Sequence, residues 1–248
     1  MCGIGGMLGQ PDRVVLERMT GLMNHRGPNG KGIFSDDDCG LAHSRLAILD
    51  IDGSQQPLHG PGKVGVVNGE IYNYLDLKKS TYDYTTNGDS EVILSLHNGE
   101  ANASEHAKWI SKLDGMFAFA IWANEQLILA RDPVGIKPLM RTMVGDSLVF
   151  ASEAKVLRAH EDYTPTIDLL AMKVRIAWEY PLDGTTLFAD VHQVRPGTVE
   201  VWELVNGMPK MTSSSRFETQ NTEPAMDWND PEGLLESFTL SVSDRLMS

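Results

Sequence analysis

The 248-residue sequence is poor in cysteine, in basic residues and in long apolar runs. Two cysteines, Cys2 and Cys39, are too few for a disulfide framework, and without any CxxC or HExxH segment the sequence gives no support for a metal site. The 21 lysine and arginine residues are outnumbered by 34 acidic ones, and a net charge of −13 argues against sequence-independent binding to nucleic acid.

Two further features that the sequence lacks concern membranes and export. No stretch approaches the roughly 18 apolar residues of a membrane span. The N-terminus also lacks the basic and apolar regions of a secretory signal. We therefore expect a cytoplasmic protein that binds neither membrane nor nucleic acid, in a reducing compartment where a thiol stays usable.

Cys2 directly follows Met1. Removal of Met1, which a small second residue permits, would leave a thiol and a free α-amine on one residue. A thiol with a pKa of about 8.5 is mostly protonated at neutral pH, whereas an α-amine with a pKa of roughly 7.7–8.0 is partly neutral and can accept the thiol proton. Cys2 could then supply both nucleophile and base, although a cysteine at position 2 can also be accidental.

The hydrophobic pattern predicts short strands with a few helices between them. The predicted strands are residues 2–8, 31–35, 40–43, 46–49, 64–68 and 147–150, with a hairpin of 117–123 and 126–131. The predicted helices are residues 12–25, 91–98, 153–159 and 167–178. Runs of strands with helices to either side favour packed antiparallel sheets over alternating βαβ units.

The C-terminal third gives weaker signals. Residues 184–188 and 197–202 suggest a late hairpin, and the polar stretch 206–230 is typical of a linker. Asp230 and Pro231 then indicate the start of a last helix, because an aspartate N-cap followed by a proline in the first turn is a helix-start signal.

Five segments carry the candidate chemistry. In chain order they are Cys2-Gly3-Ile4, His25-Arg26-Gly27-Pro28, Ala42-His43-Ser44-Arg45-Leu46-Ala47-Ile48-Leu49-Asp50, Val67-Asn68-Gly69-Glu70-Ile71-Tyr72-Asn73 and Thr86-Asn87-Gly88-Asp89-Ser90-Glu91-Val92. Together they resemble the class II glutamine amidotransferase domain, in particular the glutaminase domain of glutamine-hydrolysing asparagine synthetases. The resemblance is strong over residues 2–160 and fainter over 184–200. It implies an α+β fold of the Ntn-hydrolase type, a four-layer αββα sandwich of two packed antiparallel sheets flanked by helices.

The resemblance also implies a reaction, the hydrolysis of L-glutamine to glutamate and ammonia through a cysteine thioester. Cys2 would attack the side-chain amide, and its α-amine would pass the proton to the departing ammonia. The Asn68 side chain and the Gly69 backbone N–H would hold the oxyanion. Read locally, Asn68-Gly69 could instead be a simple hairpin turn.

Six positions are implied to bind the substrate. They are Arg45, Leu46, Ile48, Gly69, Glu70 and Asp89. The planar fork of Arg45 suits the substrate α-carboxylate, whereas the α-ammonium would be received by Asp89 with its neighbours on the Gly69-Glu70 segment. The alternatives are a surface salt bridge for Arg45 and an N-cap of the following helix for Asp89. We expect Arg26 to be structural, Cys39 to be inert and residues 132–138 to be scaffold and interdomain surface.

The synthetase half of the family uses a Ser-Gly-Gly-Xaa-Asp-Ser pyrophosphate loop, which does not occur here. Residues 243–248 resemble the stretch just ahead of that loop. The resemblance thus implies a glutaminase domain over 2–205, and a linker with a first helix over 206–248 that leads toward an absent synthetase domain. It implies no cofactor for this chain, because ATP and Mg²⁺ would belong to the synthetase domain or subunit that receives the ammonia. The alternatives are a non-catalytic glutamine-binding or regulatory subunit, or a glutaminase that serves a different amide-forming synthetase.

Overall fold

A computed structural model describes residues 1–180, 184–219 and 230–247. The strands are β1 Gly3–Leu8, β2 Gly30–Ser35, β3 Cys39–Arg45, β4 Leu58–Gly60, β5 Lys63–Ile71, β6 Gly115–Ala123, β7 Gln126–Arg131, β8 Met140–Val144, β9 Ser147–Ala151, β10 His192–Gln193, β11 Thr198–Val205 and β12 Met208–Arg216. The helices are α1 Arg13–Leu22, α2 Tyr74–Leu77, α3 Glu91–Leu96, α4 Ala103–Ile110, α5 Ala154–Leu157, α6 Leu169–Trp178 and α7 Pro231–Asp244.

The strands form two sheets of six, and every pairing is antiparallel. The first sheet has the order β10-β8-β9-β1-β3-β2, and the second has the order β12-β11-β7-β6-β5-β4. The N-terminal strand β1 is therefore central, with β3 on one side and β9 on the other. This position fixes the chain's first residues inside the fold.

Alternation along the strands builds three apolar layers. On β5, Val66 belongs to the layer between the sheets, whereas Val67 belongs to the layer under α3 and α4. On β6, Ala118 and Phe119 divide in the same way between these two layers. A third layer joins Met7 of β1 to α1 and α5. The result is the predicted four-layer αββα sandwich of the Ntn-hydrolase type.

Local signals explain most element boundaries. The Asp12 carboxylate accepts a hydrogen bond from the backbone N–H of Val14 at 2.7 Å and so caps α1. Asn124 and Glu125 have positive φ angles of 51° and 61° and form the two-residue turn between β6 and β7, as the sense of strand twist favours. Asp230 caps α7 through the N–H of Gly233 at 3.1 Å. These starts and turns are where the sequence predicts them.

Three sequence-based predictions are wrong. Residues 46–49 form a loop rather than a strand, because the chain leaves β3 and wraps around the Arg45 side chain. Residues 184–188 make only isolated bridges, and the predicted late hairpin does not form, because β11 pairs with β7 and β12 instead. The predicted linker 206–230 contains β12, the edge strand of the second sheet. The sheet thus extends past residue 205, while 220–229 lie outside the described residues.

The last helix, α7, carries an apolar face that the fold leaves exposed. Its exposed apolar side chains are Leu234, Leu235, Phe238, Leu240 and Val242. Within the described ranges, no helix is both long enough and apolar enough to cross a membrane.

Candidate active site

One cavity collects every site residue that the sequence predicts. It opens where β1 begins beside the middle of β5, and its walls include Cys2, Arg45, Leu46, Ile48, Asn68, Gly69, Glu70 and Asp89. Sequence reasoning did not predict the other lining residues, which are Met1, Leu49, Ser54, Gln56, Val67, Ser90 and Lys137. Residues that lie up to 136 positions apart in the chain are thus brought to one place.

Cys2 lies just ahead of β1, with its thiol against the loop that follows β3. The Leu46 N–H donates toward the Cys2 Sγ at 3.4 Å, and the Leu46 carbonyl lies 3.6 Å from the same sulfur. Burial raises the pKa of the Cys2 thiol, and the Leu46 N–H, the terminal ammonium and Arg45 oppose that increase. The backbone of Leu46 therefore holds the thiol in a fixed direction. The charge of the thiol depends on the balance between burial and these neighbouring groups.

Arg26 holds the backbone of Cys2. Its Nε donates to the Cys2 carbonyl at 2.8 Å, while its Nη1 donates to the Glu153 carboxylate at 2.8 Å. Burial raises the pKa of Glu153, but hydrogen bonds from Arg26, His25 and Lys155 outweigh it and bring the pKa to about 2. Arg26 thus connects Cys2 to the segment after β9, which is a structural role as expected.

Asn68 and Gly69 do not form a hairpin turn. They lie within β5, where Asn68 pairs with Ala118 and Gly69 with Phe117 of β6. Position 69 requires glycine, because a Cβ there would lie 2.3 Å from the Met116 carbonyl oxygen. The local turn interpretation is therefore wrong at this site, and the residue choice reflects a close approach of two strands.

The outer edge of β5 presents its N–H groups to the cavity. Strand β4 pairs with β5 between Leu58–Gly60 and Lys63–Gly65, and beyond this pairing no strand among the described residues covers the edge of β5. Gln56 Oε1 accepts from Val67 N–H at 2.6 Å and Asp89 Oδ2 accepts from Ile71 N–H at 2.8 Å. Because N–H directions alternate along a strand, the Gly69 N–H points to this same edge.

The Asn68 side chain is fully buried. Neither its Nδ2 nor its Oδ1 has a hydrogen-bond partner in the described part of the protein. Buried polar groups are nearly always paired, so an unpaired amide in a cavity wall indicates a position kept for a ligand. The Asn68 amide and the Gly69 N–H thus belong to one wall of the cavity.

Arg45 ends β3 and is only 4% exposed. Its guanidinium donates to three backbone carbonyls, those of Ile51 at 2.7 Å, Asp50 at 2.6 Å and Leu49 at 3.2 Å. These bonds use three of its five N–H groups and leave two for another partner. The alternative of a surface salt bridge is therefore wrong, because Arg45 is buried and organises the loop that carries Leu46 and Ile48.

Asp89 is buried and faces β5 rather than the helix after it. One carboxylate oxygen accepts the Ile71 N–H, and the other lies 3.3 Å from the Ser90 hydroxyl. Helix α3 has Ser90 at its N-cap position and receives no side-chain cap, so the N-cap interpretation of Asp89 is wrong. Burial raises the pKa of Asp89, and the Ile71 N–H opposes the increase.

Lys137 is the residue that sequence reasoning misplaced. The structure brings it into the cavity wall with 4% exposure, whereas Val134 and Ile136 of the same segment are exposed. The sequence signal for this residue is a single cation within the segment Gly-Ile-Lys-Pro. The segment alone does not show where the lysine side chain points, because that direction depends on the turn that precedes it. Gln56 carried no sequence signal, because its side chain meets the Val67 N–H only once the chain has folded.

A second cluster, away from this cavity, has the residue types of a metal site. His97, Glu100 and His106 each offer a ligand atom, all within 4.8 Å of one another. However, Trp109 Nε1–H donates to His106 Nδ1 at 3.3 Å and so occupies one imidazole lone pair. Lys63 Nζ also lies 2.5 Å from the His97 carbonyl. The bond from Trp109 argues against metal binding through His106 Nδ1.

The two packed antiparallel sheets define a domain of the Ntn-hydrolase type, with a second-position cysteine beside a central strand. Residues 1–211 match the model of a family described as the glutamine amidotransferase domain. The chain belongs to this family. Two solved structures share the fold, the glutamine phosphoribosylpyrophosphate amidotransferase of Bacillus subtilis and an allosteric regulatory enzyme of purine biosynthesis. Their TM-scores are 0.61 and 0.60 at 21% and 20% identity, and each alignment covers 88% of this chain and 49% of the other.

Sequence relatives are longer proteins. Asparagine synthetase [glutamine-hydrolyzing] 1 of Bacillus subtilis is 35% identical over 213 residues, which cover 80% of this chain and 33% of the relative. Asparagine synthetase B [glutamine-hydrolyzing] of Escherichia coli is 38% identical over 170 residues, which cover 63% of this chain and 30% of the relative. The chain thus spans about a third of the length of these curated relatives.

Proposed function

We propose that this domain hydrolyses L-glutamine to glutamate and ammonia, with Cys2 as the nucleophile. The observation that carries the proposal is the shared cavity: a directed thiol, a buried unpaired amide, an outward-facing N–H, an arginine with two spare donors and a buried carboxylate. Each of these groups matches a need of amide hydrolysis at the end of an amino-acid side chain.

The chemical steps follow from the groups in the cavity. After removal of Met1, the thiol proton of Cys2 passes to its α-amine and the sulfur attacks the glutamine Cδ. Asn68 Nδ2 and the Gly69 N–H receive the oxyanion of the tetrahedral intermediate. The C–N bond then breaks as the amine returns the proton to the leaving nitrogen, which departs as ammonia. Water hydrolyses the remaining thioester and releases glutamate.

The amino-acid end of the substrate has a complementary site. The two remaining N–H donors of Arg45 suit the α-carboxylate, and the loop residues Leu46 and Ile48 suit the aliphatic part of the side chain. Asp89 and Glu70 supply negative charge for the α-ammonium. The distance between the α-carboxylate and the side-chain amide of the substrate therefore decides whether its amide carbonyl reaches Cys2, and glutamine is the amino acid proposed to have this length.

We further propose that the ammonia serves an ATP-dependent partner domain or subunit of the asparagine synthetase type. The names of the relatives and the fraction of their length that this chain spans support this acceptor. The ATP and Mg²⁺ would be held by that partner. Mixing the domain with a candidate partner, ATP and aspartate tests it, because glutamine-dependent asparagine formation is expected only with both chains present.

The glutaminase proposal is tested by measuring glutamate and ammonia release from glutamine. We expect activity in the wild-type chain after intact-mass analysis has confirmed Met1 removal, and loss to background in Cys2→Ala. Cys39→Ala is the matched control, because Cys39 is a second, fully buried thiol in the layer between the sheets. Background release from processed wild type, with glutamine binding retained in calorimetry, would instead favour the regulatory glutamine-binding alternative.

A further inference from the structure

The structure contains one lysine whose environment the proposed mechanism does not explain. Lys137 is 4% exposed in the cavity wall. In the described part of the chain, its ammonium makes no hydrogen bond and no ion pair within 4.0 Å. The residue is buried as a whole, but its ammonium reaches the open cavity, where a cation without a fixed partner can face a charge that forms during function.

The segment around Lys137 is built to hold it in place. The Asp132 carboxylate accepts the N–H groups of Ile136 at 2.9 Å and Lys137 at 3.0 Å. Arg131 donates to the carbonyls of Gly135 and Lys137, both at 2.8 Å. The backbone is thus fixed from both sides, and the side chain continues into the cavity.

The other two cations near Cys2 each use part of their guanidinium on fixed protein partners. Arg26 is paired with Glu153, and Arg45 donates to three backbone carbonyls. The charged groups that face Lys137 are Cys2 and the chain's α-amine, Glu70 on β5, Arg26 after α1, and Asp132 on its own segment. Cys2 also faces Arg45 and Asp89.

Electrostatics link Lys137 to the Cys2 thiol and to the α-amine at the start of the chain. Burial lowers the pKa of Lys137, while Glu70 and Cys2 raise it, so a thiolate and the ammonium stabilise each other. Burial lowers the pKa of the Met1 α-amine, and Arg26 and Lys137 lower it further, whereas Cys2 and Glu70 oppose this. Removal of Met1 would replace this amine with an α-amine on Cys2, one residue along the chain.

We propose that Lys137 is a positioning residue that acts through its charge and keeps the thiol–amine pair of Cys2 in its deprotonated, reactive form at neutral pH. The pair titrates as a unit, because both groups are on one residue. This proposal rests on the proposed function, because Lys137 can assist Cys2 only if Cys2 is the nucleophile. Its test measures the reactivity of the thiol and does not require turnover of glutamine.

The test is the pH dependence of Cys2 alkylation by iodoacetamide, followed by mass analysis of the N-terminal peptide of processed protein. In Lys137→Met and Lys137→Gln we expect the midpoint to rise by about half a unit to one unit. This is about a threefold to tenfold slower alkylation at pH 7. Lys137→Arg keeps the charge and should restore the wild-type midpoint. Lys108→Met, which removes an exposed lysine on α4, should leave it unchanged.

The outcomes separate the two proposals. An unchanged midpoint in both neutral variants, or an equal shift in Lys137→Arg, overturns the role of Lys137. Absence of ammonia release from the processed wild type overturns the proposed function, whatever the alkylation midpoint. For active variants, the acidic limb of the kcat/KM profile should move in the same direction as the midpoint, which a merely structural lysine would not produce.

Discussion

Substitution of Asn68 distinguishes a catalytic role of its side chain from a structural one. In Asn68→Ala, we expect kcat to fall by about 10²–10³, a loss of about 2.7–4 kcal/mol of transition-state stabilisation, because one oxyanion donor is gone. KM should change little, since the oxyanion forms only after attack by the thiol.

The same substitution should leave stability nearly unchanged. Both polar atoms of the Asn68 amide are buried and unpaired in the described part of the chain, and an unpaired amide costs about 1–3 kcal/mol. Alanine removes this cost together with some packing, so the two effects offset each other. For a chain of this size 1 kcal/mol corresponds to about 2–4 °C in Tm, and we expect a change of no more than about 4 °C.

The assay pairs steady-state glutaminase kinetics with thermal unfolding. Asn68→Asp, which keeps the shape but loses the N–H donor, should be as inactive as Asn68→Ala. Asn73 is the matched control, because its side chain donates to the Lys112 carbonyl at 2.9 Å and accepts from Asp114 N–H at 3.0 Å. Asn73→Ala should lower Tm and retain kcat. If Asn68→Ala instead lowers Tm by 8 °C or more, or keeps at least half of wild-type kcat, the reasoning fails.

Two further predictions concern the strands behind the site. Gly69→Ala should cost about 1–3 kcal/mol of unfolding free energy in urea and abolish turnover, because the new Cβ meets the Met116 carbonyl 2.3 Å away and forces β5 from β6; wild-type stability in this variant would contradict the packing argument. Burial lowers the pKa of His43 to about 4, below its unfolded value near 6.5, so the native state binds fewer protons and stability should fall as pH drops from 6.5 toward 4. The contribution of His43 to this loss of unfolding free energy is at most about 3 kcal/mol. In urea titrations at pH 7 and pH 5, His43→Gln should lose less stability between the two pH values than the wild type. An equally steep decline in the variant would show that His43 is not its cause.

Much of the fold could be predicted from the sequence because local signals agree with the tertiary structure. The Asp12 cap, the Asn124-Glu125 turn and the short apolar run of β6 each specify their element without distant partners. The edge strand β12 could not be found in this way. Its outward side chains are polar and its pairing with β11 is set across the sheet, so its composition is that of a linker.

The candidate site divides along the same line. Cys2, Arg45, Asn68, Gly69 and Asp89 were predicted because ordered motifs carry residue types with a chemical meaning. What each local motif suggested on its own was less reliable: Asn-Gly proved to be strand rather than turn, and Asp89 bonds a strand rather than a helix. Lys137 was misplaced because the direction of its side chain depends on hydrogen bonds made by Arg131 and Asp132, which no local pattern specifies.

One buried hydrogen bond explains why the parts of the site stay in register although they come from different sheets. His43 Nε2 lies 3.2 Å from the Val67 carbonyl and joins β3 of the first sheet to β5 of the second. Arg45 follows His43 by two residues and Asn68 follows Val67 directly, so a shift of either sheet would move Arg45 relative to Asn68 in the cavity. Because burial keeps His43 neutral at physiological pH, its ring can donate from one nitrogen without adding charge beside Cys2. The acid sensitivity predicted for His43 should therefore reach the site, with glutamine affinity declining over the same pH interval as stability.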